Sequence, residues 1–219
     1  MKKTFVCLAN SKKYNERCIA GIEIEINKDG GYSVVSENGS PKWIRPVSAG
    51  EHGEVASSLI ENIKLLDIIQ IEMTQRCPSG YQSENALFDE KSLRKIGSIP
   101  AKEEILDGLV DRKHNLVFGN RGKAVHADKI SEIDYSLMLV KPEEFKVASD
   151  NNRSGRLRAL FRYNSVAYDF PITDVVFLKE YPSKAEESLL QAYLAISLGV
   201  LYTDGFYYKL CAGLVFAEK

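Results

Sequence analysis

Hydrophobic residues along this chain recur mostly with a period of two. An apolar run, Phe5-Val6-Cys7-Leu8-Ala9, predicts a short strand over residues 3–9, and a polar connection follows from Asn10 to Glu16. Between Cys18 and Ile26, Ile22, Glu23, Ile24, Glu25 and Ile26 alternate. Successive side chains of an extended chain point to opposite faces, so this pattern predicts a half-buried strand. Lys28-Asp29-Gly30-Gly31 reads as a hairpin turn, since glycine takes positive φ without steric cost. The chain returns over 32–36 and runs on through Lys42-Trp43-Ile44-Arg45-Pro46-Val47. A short helix is expected over 55–63. A strand is expected over 66–74, with Ile69, Ile71 and Met73 on one face. Residues 76–100 carry the least pattern and read as a linker or long loop. A helix from about Ala101 to Val110 follows, with Ser98 as its cap and Ile105 and Leu109 facing inward.

The second half repeats the strand-rich character, with strands expected over 135–140, 145–148, 156–163, 166–170 and 174–178. Asn164-Ser165 forms a hairpin link. Ser183-Lys184-Ala185-Glu186 has capping-box spacing and opens a helix to about Ala195, before a closing strand over 206–216. Three strands, a helix and a further strand suit a small closed barrel of the OB type. The expected class is therefore mainly β with a few short helices, arranged as two OB-like β-barrels in tandem, residues 1–95 and 96–219. No strict sequence repeat supports the second barrel; it rests on element order.

At 219 residues, with 44% hydrophobic and 27% charged residues, the chain has the composition of an ordinary globular protein. Its formal charge of −1 argues against indiscriminate adhesion to DNA, which relies on many phosphate contacts. A local basic patch stays open, because acids cluster elsewhere, at Glu103-Glu104, Glu143-Glu144 and Glu186-Glu187. The apolar run after Lys2-Lys3 is too short for a signal peptide, and no stretch is long and apolar enough to span a membrane. A cytoplasmic location is expected. Cys7, Cys18, Cys77 and Cys211 lack metal-ribbon or redox spacing, and His52, His114 and His126 are isolated. No metal, cofactor or catalytic residue is expected. Gly119-Asn120-Arg121-Gly122-Lys123 is too short for a phosphate-cradling loop. Glu23 and Glu25 read as a solvated strand face.

Binding chemistry is better represented. After the polar turn Asp150-Asn151-Asn152-Arg153-Ser154-Gly155, a strand would carry Arg156, Arg158 and Arg162 on one face with Leu160, and Leu157, Ala159, Phe161 and Tyr163 on the other. Guanidinium groups two residues apart on a strand stand roughly 6.5 Å apart, which suits tracking a phosphate backbone. The bland alternative is a solvated strand face. Lys12, Lys13 and Arg17 flank the first loop beside Tyr14. Trp43 and Arg45 share one side of an extended segment, so an aromatic plane and a guanidinium together offer base stacking and phosphate contact; the alternative places Trp43 in the core. Tyr207, Tyr208 and Lys209 pose the same choice.

Five segments carry a resemblance: Phe5-Val-Cys-Leu-Ala-Asn-Ser-Lys12, Arg17-Cys-Ile-Ala-Gly21, Trp43-Ile-Arg-Pro-Val-Ser48, Leu194-Ala-Ile-Ser-Leu-Gly199 and Tyr207-Tyr-Lys-Leu210. Together they resemble the dual OB-containing domain family, small prokaryotic proteins proposed to carry two OB folds and linked to anti-phage conflict systems. The resemblance covers nearly the whole chain. It implies nucleic-acid or nucleotide recognition, and it carries over Asn10, Ser11, Lys12, Arg17, Trp43, Arg45 and Lys209. After Leu198-Gly199 this chain has Val200-Leu201-Tyr202 where the family pattern has an acidic residue and proline. The expected protein binds nucleic acid, single strands favoured, without cutting it, as an accessory subunit of an anti-phage system with a larger defence-complex protein as a further partner. Its contacts would be Lys12, Arg17, Trp43, Arg45, Arg153, Arg156, Arg158, Arg162 and Lys209. The alternatives are a protein-interaction subunit of such a complex and a nucleotide-processing enzyme.

Overall fold

The computed structural model describes residues 1–13, 16–50, 53–150, 155–180 and 191–218. Its first part consists of β1 (Lys2–Lys13), β2 (Glu16–Ile26), β3 (Tyr32–Val34), β4 (Ser36–Glu37), β5 (Ser40–Pro41), β6 (Trp43–Val47), α1 (Ser57–Ile60), β7 (Asp67–Arg76) and β8 (Asn85–Ser98). Strand order β1-β7-β8-β6-β2, with β1 also paired to β2, closes a five-stranded barrel. Phe5, Cys7, Ile19, Ile44, Ile69 and Ile71 fill its interior.

Two expectations are corrected here. β1 does not stop at Ala9 but continues to Lys13, because the polar Asn10 is fully buried and its amide donates to Ile63 O at 3.0 Å. The stretch expected to be a linker contains the 14-residue β8. The distal half of that strand is largely solvated on both faces, so its polar residues show no alternation to read.

The second part begins with α2 (Glu103–Leu106), whose N-cap is Lys102 without a side-chain cap; Ser98 belongs to β8 instead. It continues through β9 (Ala124–His126), β10 (Leu137–Val140), β11 (Glu144–Ser149), β12 (Leu157–Tyr163), β13 (Val166–Pro171), α3 (Val175–Glu180), β14 (Ala192–Leu201) and β15 (Phe206–Phe216). Sheets β10-β14-β15-β9 and β11-β12-β13 enclose a second core as a half-barrel. The tandem OB-like, mainly β architecture thus holds.

Residues 175–178 are helical rather than extended, because Asp174 Oδ1 accepts the amides of Val176 and Phe177 at 2.9 and 3.1 Å. That carboxyl is fully buried, and burial pushes its pKa up to about 6 against its backbone donors. The helix expected from Ser183 lies in part outside the described residues. Its expected end, Ala192 to Ala195, is strand.

A shared layer joins the two parts. Val6, Leu8, Ala20, Ile22 and Trp43 face outward from the first barrel and pack on Leu137, Leu139, Tyr193, Ala195, Ala212 and Val215. The apolar run Phe5–Ala9 therefore reflects a strand buried on both faces, which removes alternation from the sequence. Leu8 lies at a register shift in β1 between Cys7 and Ala9. Its carbonyl approaches Gly213 so closely that a Cβ there would lie 1.8 Å from the oxygen. Only glycine permits that approach.

Candidate nucleic-acid interface

Lys12 and Arg17 are cross-strand partners at the β1–β2 end. The Lys12 amide donates to Thr173 O at 3.2 Å, and the amide of the preceding Ile172 donates to Leu157 O at 2.9 Å. Arg156 immediately precedes Leu157, so β1, the end of β13 and the start of β12 lie side by side. Two strand spacings place the Lys12 and Arg156 backbones about 10 Å apart. Both residues are exposed, and among the described residues neither forms an ion pair. Arg17 is half-buried, with its guanidinium 3.5 Å from Ile60 O. Cations 144 positions apart in sequence thus meet at the seam between the two parts.

The β12 face has the expected alternation: Leu157, Ala159, Phe161 and Tyr163 are buried, while Arg158, Leu160 and Arg162 are intermediate. Its electrostatics differ from a free phosphate track. Arg158 lies 3.1 Å from Asp150 and also pairs with Asp169. Burial works against its charge, but these two carboxylates outweigh it and hold its pKa up. Arg162 donates to Ser165 O at 3.2 Å and lies 3.6 Å from Glu144, with both side chains well exposed. Register adds Lys146 opposite Leu160 and Asp169 across from it. This face largely neutralises itself. Arg153 lies outside the described residues.

Trp43, Arg45 and Lys209, expected at the binding surface, are interior. Trp43 is 9% exposed and belongs to the layer between the two parts. Arg45 is 3% exposed, donates to Asn85 Oδ1 at 3.3 Å and keeps a buried Nε without a partner among the described residues. Asn85 in turn donates to Gln82, and Tyr81 donates to Gly199 O at 2.5 Å across the junction. Lys209 is fully buried. Its amine donates to Val117 O, Asn120 O and Asn120 Oδ1 at 2.6, 2.9 and 2.8 Å, beneath the rings of Tyr168 and Phe170. Burial pushes its pKa down to about 7. Its amine is held by these three oxygens inside the second part.

A cleft of about 90 Å³ lies where the two parts meet, lined by Trp43 and Arg76 from the first part and His114 and Tyr135 from the second. His114 stacks on Tyr135 with centroids 4.2 Å apart and planes at 23°. Asp111 receives His114 Nδ1 at 2.9 Å and the amides of Lys113 and His114 at 3.0 Å each. Reasoning from sequence missed this group. An Asp and a His three residues apart are too common to signal a site, and Tyr135 reaches them only through the fold. Among the described residues no cluster of three His, Cys, Asp or Glu side chains is arranged to hold a metal ion. No described helix is long and apolar enough to cross a membrane.

A family model described as the dual OB-containing domain matches residues 3–214. No curated protein matches the chain. Among solved structures, the tetrameric p202 HIN2 is 11% identical, with all of this chain and 92% of that chain covered, at a TM-score of 0.32. A murine DNA-binding protein bound with double-stranded DNA is 8% identical over all of both chains, at a TM-score of 0.36. A replication protein A heterotrimer bound to single-stranded DNA is 7% identical, covers all of this chain and 49% of that one, and has a TM-score of 0.35. Likeness of this order is remote.

Proposed function

Because the chain belongs to the dual OB-containing domain family, we propose that it binds nucleic acid without cutting it, through the seam where Lys12, Arg17 and Arg156 meet. OB folds bind oligonucleotides through the face of their second and third strands and the loops beside it. The seam joins the first hairpin of one OB-like unit to the entry of β12 in the other. The observation that supports this reading is the accessibility of Lys12 and Arg156, which among the described residues form no ion pair. Arg158, by contrast, is engaged by Asp150 and Asp169. Single strands are the favoured ligand. A few cations match a flexible backbone better than a duplex. The biological setting we infer is cytoplasmic, as an accessory subunit working with a larger protein of an anti-phage system.

Fluorescence anisotropy with labelled single-stranded DNA, single-stranded RNA, duplex and hybrid oligonucleotides, between 50 and 200 mM salt, tests the proposal. Three phosphate contacts at about 0.7 each give a log–log slope near −2, or roughly 18-fold weaker binding across that range. Lys12→Ser with Arg156→Ser leaves a slope near −0.7, or roughly 3-fold. A double variant with the native slope, or a native protein that binds no oligonucleotide at the lowest salt, removes the seam as the site.

A further inference from the structure

The cleft between the two parts has features that the seam does not use. The His114 ring is already stacked on Tyr135 and oriented by Asp111 through Nδ1. Its orientation is fixed before any ligand arrives. Trp43, 9% exposed, also lines the cleft. The buried carboxylates here are already occupied. Asp111 accepts two backbone amides and His114, and Glu84 accepts the amide and hydroxyl of Ser136 at 2.6 and 3.0 Å. Ser40 Oγ, also in the lining, is buried with no hydrogen-bond partner among the described residues. Lys113, also in the lining, is exposed and among the described residues forms no ion pair; Arg76 and Lys42 lie 3.8 and 3.5 Å from Glu37, and the exposed Asp134 lines the cleft as well.

A stacked His–Tyr pair, a tryptophan, an unsatisfied hydroxyl and an unpaired lysine in one lining suit a flat heteroaromatic ring that carries an anionic group. A space of about 90 Å³ is well below a drug-sized pocket. It accommodates one ring system, with any attached sugar and phosphate left outside. We propose that this cleft is a nucleobase-binding site, taking its base either from a free nucleotide or from an unstacked position of a bound strand. The strand source rests on the nucleic-acid reading above; the free-nucleotide source does not.

Trp43 is the sole tryptophan of the chain, so its emission reports on the cleft directly. The experiment titrates the protein with AMP, CMP, GMP, UMP, ribose 5-phosphate and inorganic phosphate. In parallel it uses a single-stranded oligonucleotide and an abasic oligonucleotide of the same length. At least one nucleotide or the base-bearing oligonucleotide should change Trp43 emission saturably, while ribose 5-phosphate, phosphate and the abasic strand leave it unaltered. His114→Ala, which removes one ring of the stacked pair, should weaken that response roughly 5- to 150-fold, since stacking contributes roughly 1–3 kcal/mol per base. Lys113→Ser should weaken a nucleotide but not the matching nucleoside, which keeps the test informative if the His114 variant folds poorly. A response to mononucleotides identifies the free ligand as a source; a response only to the base-bearing strand identifies the strand. The Lys12/Arg156 double variant separates the two readings, because mononucleotide binding should survive in it while oligonucleotide binding falls. No emission change with any base-bearing ligand, or an equal change in His114→Ala, overturns the assignment.

Discussion

Replacing Gly213 with alanine tests the packing on which both candidate sites depend. The added methyl would sit 1.8 Å from Leu8 O and 2.9 Å from its carbonyl carbon, where real Cβ contacts essentially never fall below 3.0 Å. Neither obstacle is a flexible side chain. Both belong to the backbone of β1, whose Val6 and Leu8 side chains are buried in the layer between the two parts. β1 and β15 must separate by more than about 1 Å, opening that layer along its length. Overpacking a tight core costs about 1–3 kcal/mol and occasionally more, and a backbone clash in a doubly buried strand belongs at the upper end. For a chain of this size about 3 kcal/mol lowers Tm by roughly 6–12 °C. Gly108→Ala is the matched control, since nothing lies within 4 Å of its Cβ position and its φ is not positive. It should stay within about 0.5 kcal/mol of the native protein. Scanning calorimetry of the three proteins decides the matter. A Gly213→Ala midpoint equal to that of Gly108→Ala would mean that β1 and β15 do not pack as described, and the seam and the cleft would fall with them.

Two further substitutions separate interior cations from binding ones. Arg158→Gln should leave oligonucleotide affinity and its salt slope unchanged. It should also lower stability by about 1–2 kcal/mol in urea titrations, because the charge-assisted contacts of Arg158 with Asp150 and Asp169 are lost; a clear drop in slope would return Arg158 to the interface. Lys209 carries a pH signature: its folded pKa is about 7, against roughly 10.4 in the unfolded chain. Between those values the unfolded chain binds more protons, so this residue makes stability rise with pH from about 7 towards 10.4, by up to roughly 1.4 kcal/mol per unit. Urea midpoints at pH 6, 8 and 9.5 should show that rise in the native protein and a flatter profile in Lys209→Met; parallel profiles in the two proteins would refute the buried-amine account.

Alternation was enough to orient β12. Leu157, Ala159, Phe161 and Tyr163 point inward because extended backbone fixes which side chains share a face. The β2–β3 and β12–β13 hairpins were legible for a similar reason, since the residues that permit tight turns are few. β8 was not, because a strand solvated on both sides of its distal half carries no periodic signal. The start of β14 was misread as helix, because its run of apolar residues serves two cores at once and so lacks a period of two.

Local backbone geometry, then, is written in the order of residues: which positions extend, which turn, and which side chains share a face. What stands opposite each face depends on pairings between distant segments, and only the folded chain determines those. Arg158 meets Asp169 through strand register, Lys209 is enclosed by a loop some ninety positions earlier, and Lys12 reaches Arg156 across Thr173. A cation becomes a ligand contact or a structural tie according to whether a carboxylate or carbonyl lies within reach. Coulombic and hydrogen-bonding energies depend on distances in space, which separation along the chain does not determine.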